Sequence, residues 1–325
     1  MTRRLLILLA AALLWLTARC ELPSDTIRLG QTRWQRTAVT LGVRMALNSG
    51  ITASLKHYVD KTRPDGSDRR SFPSRHSLWA FSIGGTVTCR LAARSPWWGV
   101  ASQAAASAVG FQRVIDRRHY PEDVLAGAAI GIADNAVANI VASLIFGPAN
   151  PFPGWRATSN TLSRSLSAST GIDLPLRHDW GSVHIGPSLL SEVTFTLPMS
   201  ARWGFTASAA LRSAPVSLRG KEAPAVGVAS GISAQIGAVA STSFGGSPLA
   251  LAGFAAAGYL HRLGVDGADI RRSSYIATAG ADLSLTLTPA FALGLRPAMT
   301  LSASPVKGYS PLASTSISIY SRANF

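Results

Sequence analysis

Three short stretches of the chain gather cations, histidines and one carboxylate in an order suited to attack on phosphorus. They run from Lys56 to Pro64, from Phe72 to Ser77 and from Arg113 to Asp123. A transferring phosphoryl group spreads its charge over its equatorial oxygens, so cations arriving from separate segments can share it. Lys56, Arg63 and Arg113 are three such cations. Arginine matches paired oxygens bidentately, whereas lysine acts as a point charge. Ser74 precedes a helix expected to begin near His76, and a hydroxyl with free backbone N–H groups at such an end suits an anion. His119 stands before another helix, whose first turn holds Pro121, Glu122 and Asp123, residue types at home there. The spacing from His119 to Asp123 lets the carboxylate fold back onto one imidazole nitrogen. That fixes the tautomer and frees the other nitrogen for attack. His76 is then the candidate general acid for the leaving oxygen.

Written as patterns, the stretches are Lys56, six residues, Arg63-Pro64; Pro73-Ser74-Arg75-His76; and Arg113, five residues, His119, three residues, Asp123. In this order and spacing they resemble the three motifs of the type 2 phosphatidic acid phosphatase (PAP2) superfamily, over roughly residues 35–146. The resemblance implies a metal-independent phosphatase on a helical bundle, with no cofactor. By it, His119 is the nucleophile that forms a phospho-histidine, Asp123 orients it and His76 protonates the leaving group. Lys56, Arg63, Ser74, Arg75 and Arg113 would hold the phosphate. Two positions depart from the family pattern. Arg75 replaces the usual Gly, leaving a backbone N–H for phosphate but adding a side chain, and Gln112 replaces the usual Ser before Arg113. Vanadium haloperoxidases resemble the same motifs and are a minor rival reading.

Four helices are expected to position these groups: Thr37 to Lys56, Ser77 to Ala92, Trp97 to Val114 and Pro121 to Phe146, all rich in Ala, Leu, Val and Ile. Arg44, Arg90 and Asp134 interrupt or closely follow their apolar runs. A carboxylate at mid-membrane costs roughly 2.5–3.5 kcal/mol on insertion scales, so a soluble helical domain is the expectation. Lys61, Arg69, Arg70, Arg117 and Arg118 read as solvated loop charges. His57, His178, His184 and His261 read as ordinary solvated side chains. Asp60, Asp65 and Asp68 lack the company of a metal site, and Cys89 reads as a core thiol.

Beyond residue 150 the period changes. Val226, Val228, Ile232, Ala234 and Ile236 recur at every second place, as do Leu283, Leu285 and Leu287 between Ser284, Thr286 and Thr288. Eight strands are expected, at about 163–173, 182–197, 201–213, 225–238, 249–263, 272–287, 291–303 and 312–325. Longer polar connections alternate with tighter turns, and the last strand ends on Phe325. An even strand count with that alternation describes an antiparallel transmembrane β-barrel of the outer membrane. A soluble β-sandwich would carry more large apolar residues inside.

The expected organisation is a signal peptide at 1–18, a helical phosphatase domain at 19–149, a linker at 150–162 and a barrel at 163–325. Arg3 and Arg4 followed by a short apolar stretch support the signal. The phosphatase domain is expected in the periplasm and the barrel in the outer membrane, with oligomeric state left open. Of the chain's 325 residues, 47% are hydrophobic and 14% charged, which excludes a long disordered chain. Two Cys exclude a disulfide scaffold, and the net charge of +15 suits an anionic partner. That surplus is spread over both halves rather than concentrated in a basic tail, so no nucleic-acid partner is expected. The expected substrate is a phosphorylated lipid (phosphatidic acid, phosphatidylglycerol phosphate, a polyprenyl pyrophosphate or lipid A). A nonspecific acid phosphatase, or a barrel with a vestigial helical domain, are the competing readings.

Overall fold

The structure, a computed structural model, describes residues 33–92, 94–146, 162–180, 183–218, 227–243, 249–263, 271–288, 290–306 and 308–325. The expected signal peptide and nearly all of the expected linker lie outside these residues. Four helices come first: α1 (Arg33–Tyr58), α2 (Arg75–Leu91), α3 (Trp97–Ile115) and α4 (Pro121–Phe146). Ten strands follow: β1 (Ser165–Pro175), β2 (Asp179–Trp180), β3 (Val183–Ile185), β4 (Ser188–Pro198), β5 (Trp203–Leu218), β6 (Gly227–Ser243), β7 (Leu249–Arg262), β8 (Ser273–Thr288), β9 (Phe291–Ser302) and β10 (Leu312–Asn324).

Eight of the strands close into an antiparallel barrel. The sheet runs β5-β4-β1-β10-β9-β8-β7-β6, and β6 pairs back onto β5 from Trp203↔Ala240 to Val216↔Gly227. Closure leaves no unpaired edge in the ring. The expected second strand is interrupted at Gly186-Pro187. Its first part, β3, pairs with β2 and with the end of β5 instead. Proline cannot donate to a ladder, which accounts for the break.

The alternation is that of a membrane barrel. Inward positions are small or polar and buried, among them Ser167, Ser169, Thr194, Gln235, Ser284 and Thr300. Outward positions such as Phe205, Ile236, Tyr275, Met299 and Leu301 are large, apolar and exposed. Charge also crosses the lumen. The Arg296 guanidinium donates to Asp282 at 2.6 Å and to Glu192 at 2.6 Å, and Arg322 donates to Asp282 at 2.9 Å. Two anions and two cations in mutual contact satisfy one another along the wall of a lumen cavity of about 290 Å³.

Helix α2 is capped by Ser74, whose hydroxyl accepts from the Ser77 N–H at 3.4 Å. Helix α4 lies close against it because Gly127 and Gly131 present no Cβ. A Cβ at Gly127 would stand 2.5 Å from the Ser74 carbonyl oxygen, and one at Gly131 would stand 2.3 Å from that of Leu78. Among the described residues, α4 is the helix long and apolar enough to cross a membrane. Its Asp134 is buried and accepts from the Ser82 hydroxyl at 2.6 Å, so the carboxylate faces the bundle. The bundle is not a separate body. Helix α3 lies along the outer wall, where Val100 packs on Ala168 and Ala323, and Phe111 and Val114 on Leu189.

Candidate active site

The site is assembled from the loop between α1 and α2, the start of α2, and the turn joining α3 to α4. The first loop folds back on itself: Lys61 N–H donates to Arg69 O at 3.2 Å, and Ser71 N–H donates to Lys61 O at 3.0 Å. This brings Lys61 and Ser71 onto the start of α4. The turn after α3 carries Arg117 in the left-handed region, at φ 54°, and delivers His119 N–H to Arg113 O at 3.2 Å.

His119 is buried, and its Nδ1 lies 2.7 Å from the Ser71 carbonyl oxygen. A carbonyl can only accept, so Nδ1 carries the proton and Nε2 keeps its lone pair. Burial is the main cause that brings the His119 pKa down to about 4; the Arg63 and Lys56 charges add to it, and Asp123 opposes them. The ring is therefore neutral at neutral pH, the state in which an imidazole nitrogen can attack.

The orienting partner differs from the one expected from spacing. Asp123 Oδ2 stands 4.0 Å from His119 Nδ1, beyond hydrogen-bond reach. The fully buried Asp123 carboxylate instead accepts from the Ser71 hydroxyl at 2.5 Å, Tyr120 N–H at 3.0 Å and Lys61 Nζ at 2.6 Å. It caps its own helix and fixes Ser71, and Ser71 in turn holds the imidazole. Asp123 thus acts on His119 through one intermediary and through its charge.

Lys61 is the residue that sequence reasoning missed. Rather than being a solvated charge, it bridges Asp123 and Glu122, the latter at 2.9 Å, and lies 4.5 Å over the Tyr120 ring. Burial works against its ammonium, yet Asp123 and Glu122 outweigh that and raise its pKa. The readable signal was the adjacent pair Glu122-Asp123, since two carboxylates in one helical turn call for a cation. Ser71 was missed as well, and nothing in its type or spacing marks it. Arg69 and Arg118 do pair at the surface, with Asp60 at 2.5 Å and Asp65 at 3.0 Å.

The other expected residues surround the two imidazoles. Lys56 Nζ donates to Arg70 O at 2.6 Å, and burial followed by the Arg63 charge lowers its pKa. Arg63 pairs with Asp68 at 2.8 Å. Arg113 approaches Asp116 at 3.4 Å, while its Nε is buried with no hydrogen-bond partner, a donor left for a ligand. Ser74 is buried, and its hydroxyl contacts that of Ser77 at 2.9 Å. Arg75 and His76 are exposed at the mouth. Burial and then Arg113, Arg75, Arg63 and Lys56 hold the His76 pKa below the usual histidine range. Arg63 and Lys56 act on both histidines, so one positive field covers the pair. Such a field attracts an anion and would be relieved by it. Among the described residues, no group of three or more His, Cys, Asp or Glu gathers as a metal cage would.

Fold and site together define a closed polar-lumen barrel carrying, on its wall, a helical site built to hold an anion beside a neutral imidazole. Residues 37–141, which hold that site, match the family model described as the PAP2 superfamily. Over 113 residues the chain is 35% identical to a lipid A 1-phosphatase of Porphyromonas gingivalis, covering 35% of this chain and 25% of that protein. The chain thus spans about a quarter of that relative's length. Among solved structures, the barrel half is similar to the outer membrane protein OprG of Pseudomonas aeruginosa, at 11% identity and TM-score 0.37, over 51% of this chain and 97% of that one. It is also similar to the outer membrane enzyme PagL, at 12% identity and TM-score 0.31, over 50% and 99%.

Proposed function

We propose that the protein is a metal-independent phosphatase of the outer membrane that removes phosphate from a membrane lipid through a phospho-histidine at His119. The observation that carries this reading is the state of that residue: buried, neutral, its Nδ1–H tied to Ser71 O at 2.7 Å, and its Nε2 left with a lone pair. The PAP2 match and the lipid A 1-phosphatase relative support the same reaction class.

Nε2 attacks phosphorus and the bond to the leaving oxygen breaks, its electron pair passing to that oxygen. His76 supplies the proton. The Lys56, Arg63 and Arg113 side chains, the Ser74 hydroxyl and the Arg75 backbone N–H hold the phosphoryl oxygens. A bound phosphate dianion also offsets the cations that depress the His76 pKa, and so restores a proton donor when one is required. Water then attacks the phospho-histidine, with His76 now accepting its proton, and inorganic phosphate leaves. Lipid A bearing a 1-phosphate is the first substrate to try, followed by phosphatidic acid, phosphatidylglycerol phosphate and a polyprenyl pyrophosphate.

The test is phosphate release by the detergent-solubilised full chain and by His119→Ala, with EDTA present, from these lipids and from a small aryl phosphate. Release from a lipid that survives EDTA and disappears in the variant supports the proposal. Release from the aryl ester alone moves the reading to a nonspecific acid phosphatase, and no release from any of them leaves a barrel with a vestigial helical domain.

A further inference from the structure

The way α3 lies on the barrel sets the height of the site. At its start, Trp97 meets Phe325 with ring centroids 5.2 Å apart, and the Gly99 carbonyl accepts from the Ser321 hydroxyl at 3.2 Å. These contacts lie at the end where the β4–β5 and β8–β9 turns are short. Midway along the wall, Gln103 Nε2 donates to the Thr170 hydroxyl at 3.3 Å, and Ser107 bonds the same hydroxyl. At its far end, Phe111 and Val114 reach Leu189 and Val228, which open β4 and β6 beside the long connections. There His119, Tyr120 and Pro121 share a crevice with Pro215 and Val228. A helix of 19 residues is about 28 Å long at about 1.5 Å per residue, which matches the apolar band of about 25 Å on such barrels.

The wall itself is prepared for the helix. Its outward positions under α3 are Ala168, Thr170, Ser321 and Ala323, all buried. Elsewhere the outward positions are exposed, whether large, as at Ile236, Tyr275 and Leu301, or small, as at Ala257 and Ala277. Small and hydroxyl-bearing residues admit a helix and bond to it, whereas large apolar ones suit lipid tails. What marks the covered wall is its burial and the Thr170 and Ser321 hydroxyls that bond the helix.

We propose that the active site draws its phosphate from the leaflet level with the long connections, which is the cell-surface leaflet of the outer membrane, in place of the periplasmic position expected from the sequence. In barrels of this type the short turns face the periplasm and the longer loops the exterior. The exposed Arg75 and His76, with Lys56, Arg63 and Arg113 behind them, stand at that rim, where a lipid phosphate reaches them without leaving the bilayer. A phosphate in the opposite leaflet lies a full wall height away. The chemistry of this step rests on the phosphatase reading; the side of the membrane does not.

Two measurements on the full chain test it, in a Cys20→Ser, Cys89→Ser background. Single reporters Ser67→Cys, in the loop flanking Arg63, and Ala201→Cys, in the short β4–β5 turn, are exposed to a maleimide coupled to a 5 kDa polymer, on intact and on permeabilised cells. Ser67→Cys should label equally in both, and Ala201→Cys should gain at least tenfold on permeabilisation. A Ser67→Cys signal that also requires permeabilisation, or the reverse pattern, overturns the proposal. The pair Ser107→Cys and Thr170→Cys should form an intramolecular disulfide on oxidation in membranes. Absence of that cross-link in a chain whose barrel is folded overturns the docking on which the height depends. Neither readout depends on turnover, so a failed phosphatase assay and a failed topology remain distinct results.

Discussion

Replacing Lys61 by Met tests how His119, the proposed nucleophile, is held. The Asp123 carboxylate is fully buried and, among the described residues, takes its close ammonium partner, at 2.6 Å, from Lys61. Removing one partner of a buried pair costs about 3–5 kcal/mol. Lys61 is itself 27% exposed, so solvent screening reduces this to about 2 kcal/mol. The variant has a second, less ordinary consequence. With its neutralising cation gone, the Asp123 charge acts undiminished on His119, whose Nδ1 is 4.0 Å away. Unit charges at that distance interact by about 4 kcal/mol at an effective dielectric near 20. Restoring a third of that raises the His119 pKa by about one unit from about 4. The assay is kcat/KM against pH between 3.5 and 8. The acid limb, where protonation silences the nucleophile, should move up by about one unit in Lys61→Met and return in Lys61→Arg. An unmoved acid limb together with unchanged thermal stability would refute the coupling of Lys61, Asp123 and His119.

Further outcomes follow from the same contacts. Because folding depresses the His119 pKa from 6.5 to about 4, its contribution is complete above pH 6.5 and is lost as pH falls through about 4. That loss is about 3 kcal/mol, and chemical denaturation of the helical region followed by circular dichroism should show a flatter acid slope in His119→Gln. Gly127→Ala forces a Cβ to 2.5 Å from the Ser74 carbonyl oxygen, and should cost about 1–3 kcal/mol with a matching fall in kcat/KM as the start of α2 shifts. Arg296→Met removes the partner of Glu192 and one of two partners of Asp282 inside the barrel, and should lower barrel stability by about 3 kcal/mol. The folded and unfolded barrel forms, separated by electrophoresis after graded heating, should show that loss without any change in KM.

The candidate site residues, which the structure brings together, were singled out in the chain because phosphoryl chemistry restricts both residue type and spacing. Lys56, Arg63, Ser74, His76, Arg113, His119 and Asp123 stand out for that reason and for their match to three family motifs. Lys61 and Ser71 do not, since their roles exist only after the loop from Tyr58 to Ser74 folds back through Lys61 and Arg69. A lysine in a polar loop has no local feature that separates a solvated charge from one seated on Asp123. The eight-stranded barrel was legible from alternation, because an apolar outside and a polar inside impose a period of two on every strand. The break at Gly186-Pro187 was not, because the alternation on either side of it reads as one strand over 182–197 and conceals the small β2–β3 ribbon. Hardest to foresee was the helix on the wall. Its trace, Ala168, Thr170, Ser321 and Ala323 at outward positions, gains meaning only once β1 and β10 are known to be neighbours.

Whether His119 becomes phosphorylated is the most direct question. The full chain, mixed with substrate carrying a radiolabelled phosphate and quenched within milliseconds in alkaline detergent, should retain label on the peptide that begins at His119. That label should resist alkali, be lost in acid, and be absent from His119→Gln. Label on Ser74, or steady turnover with no protein-bound phosphate at any quench time, would contradict the account.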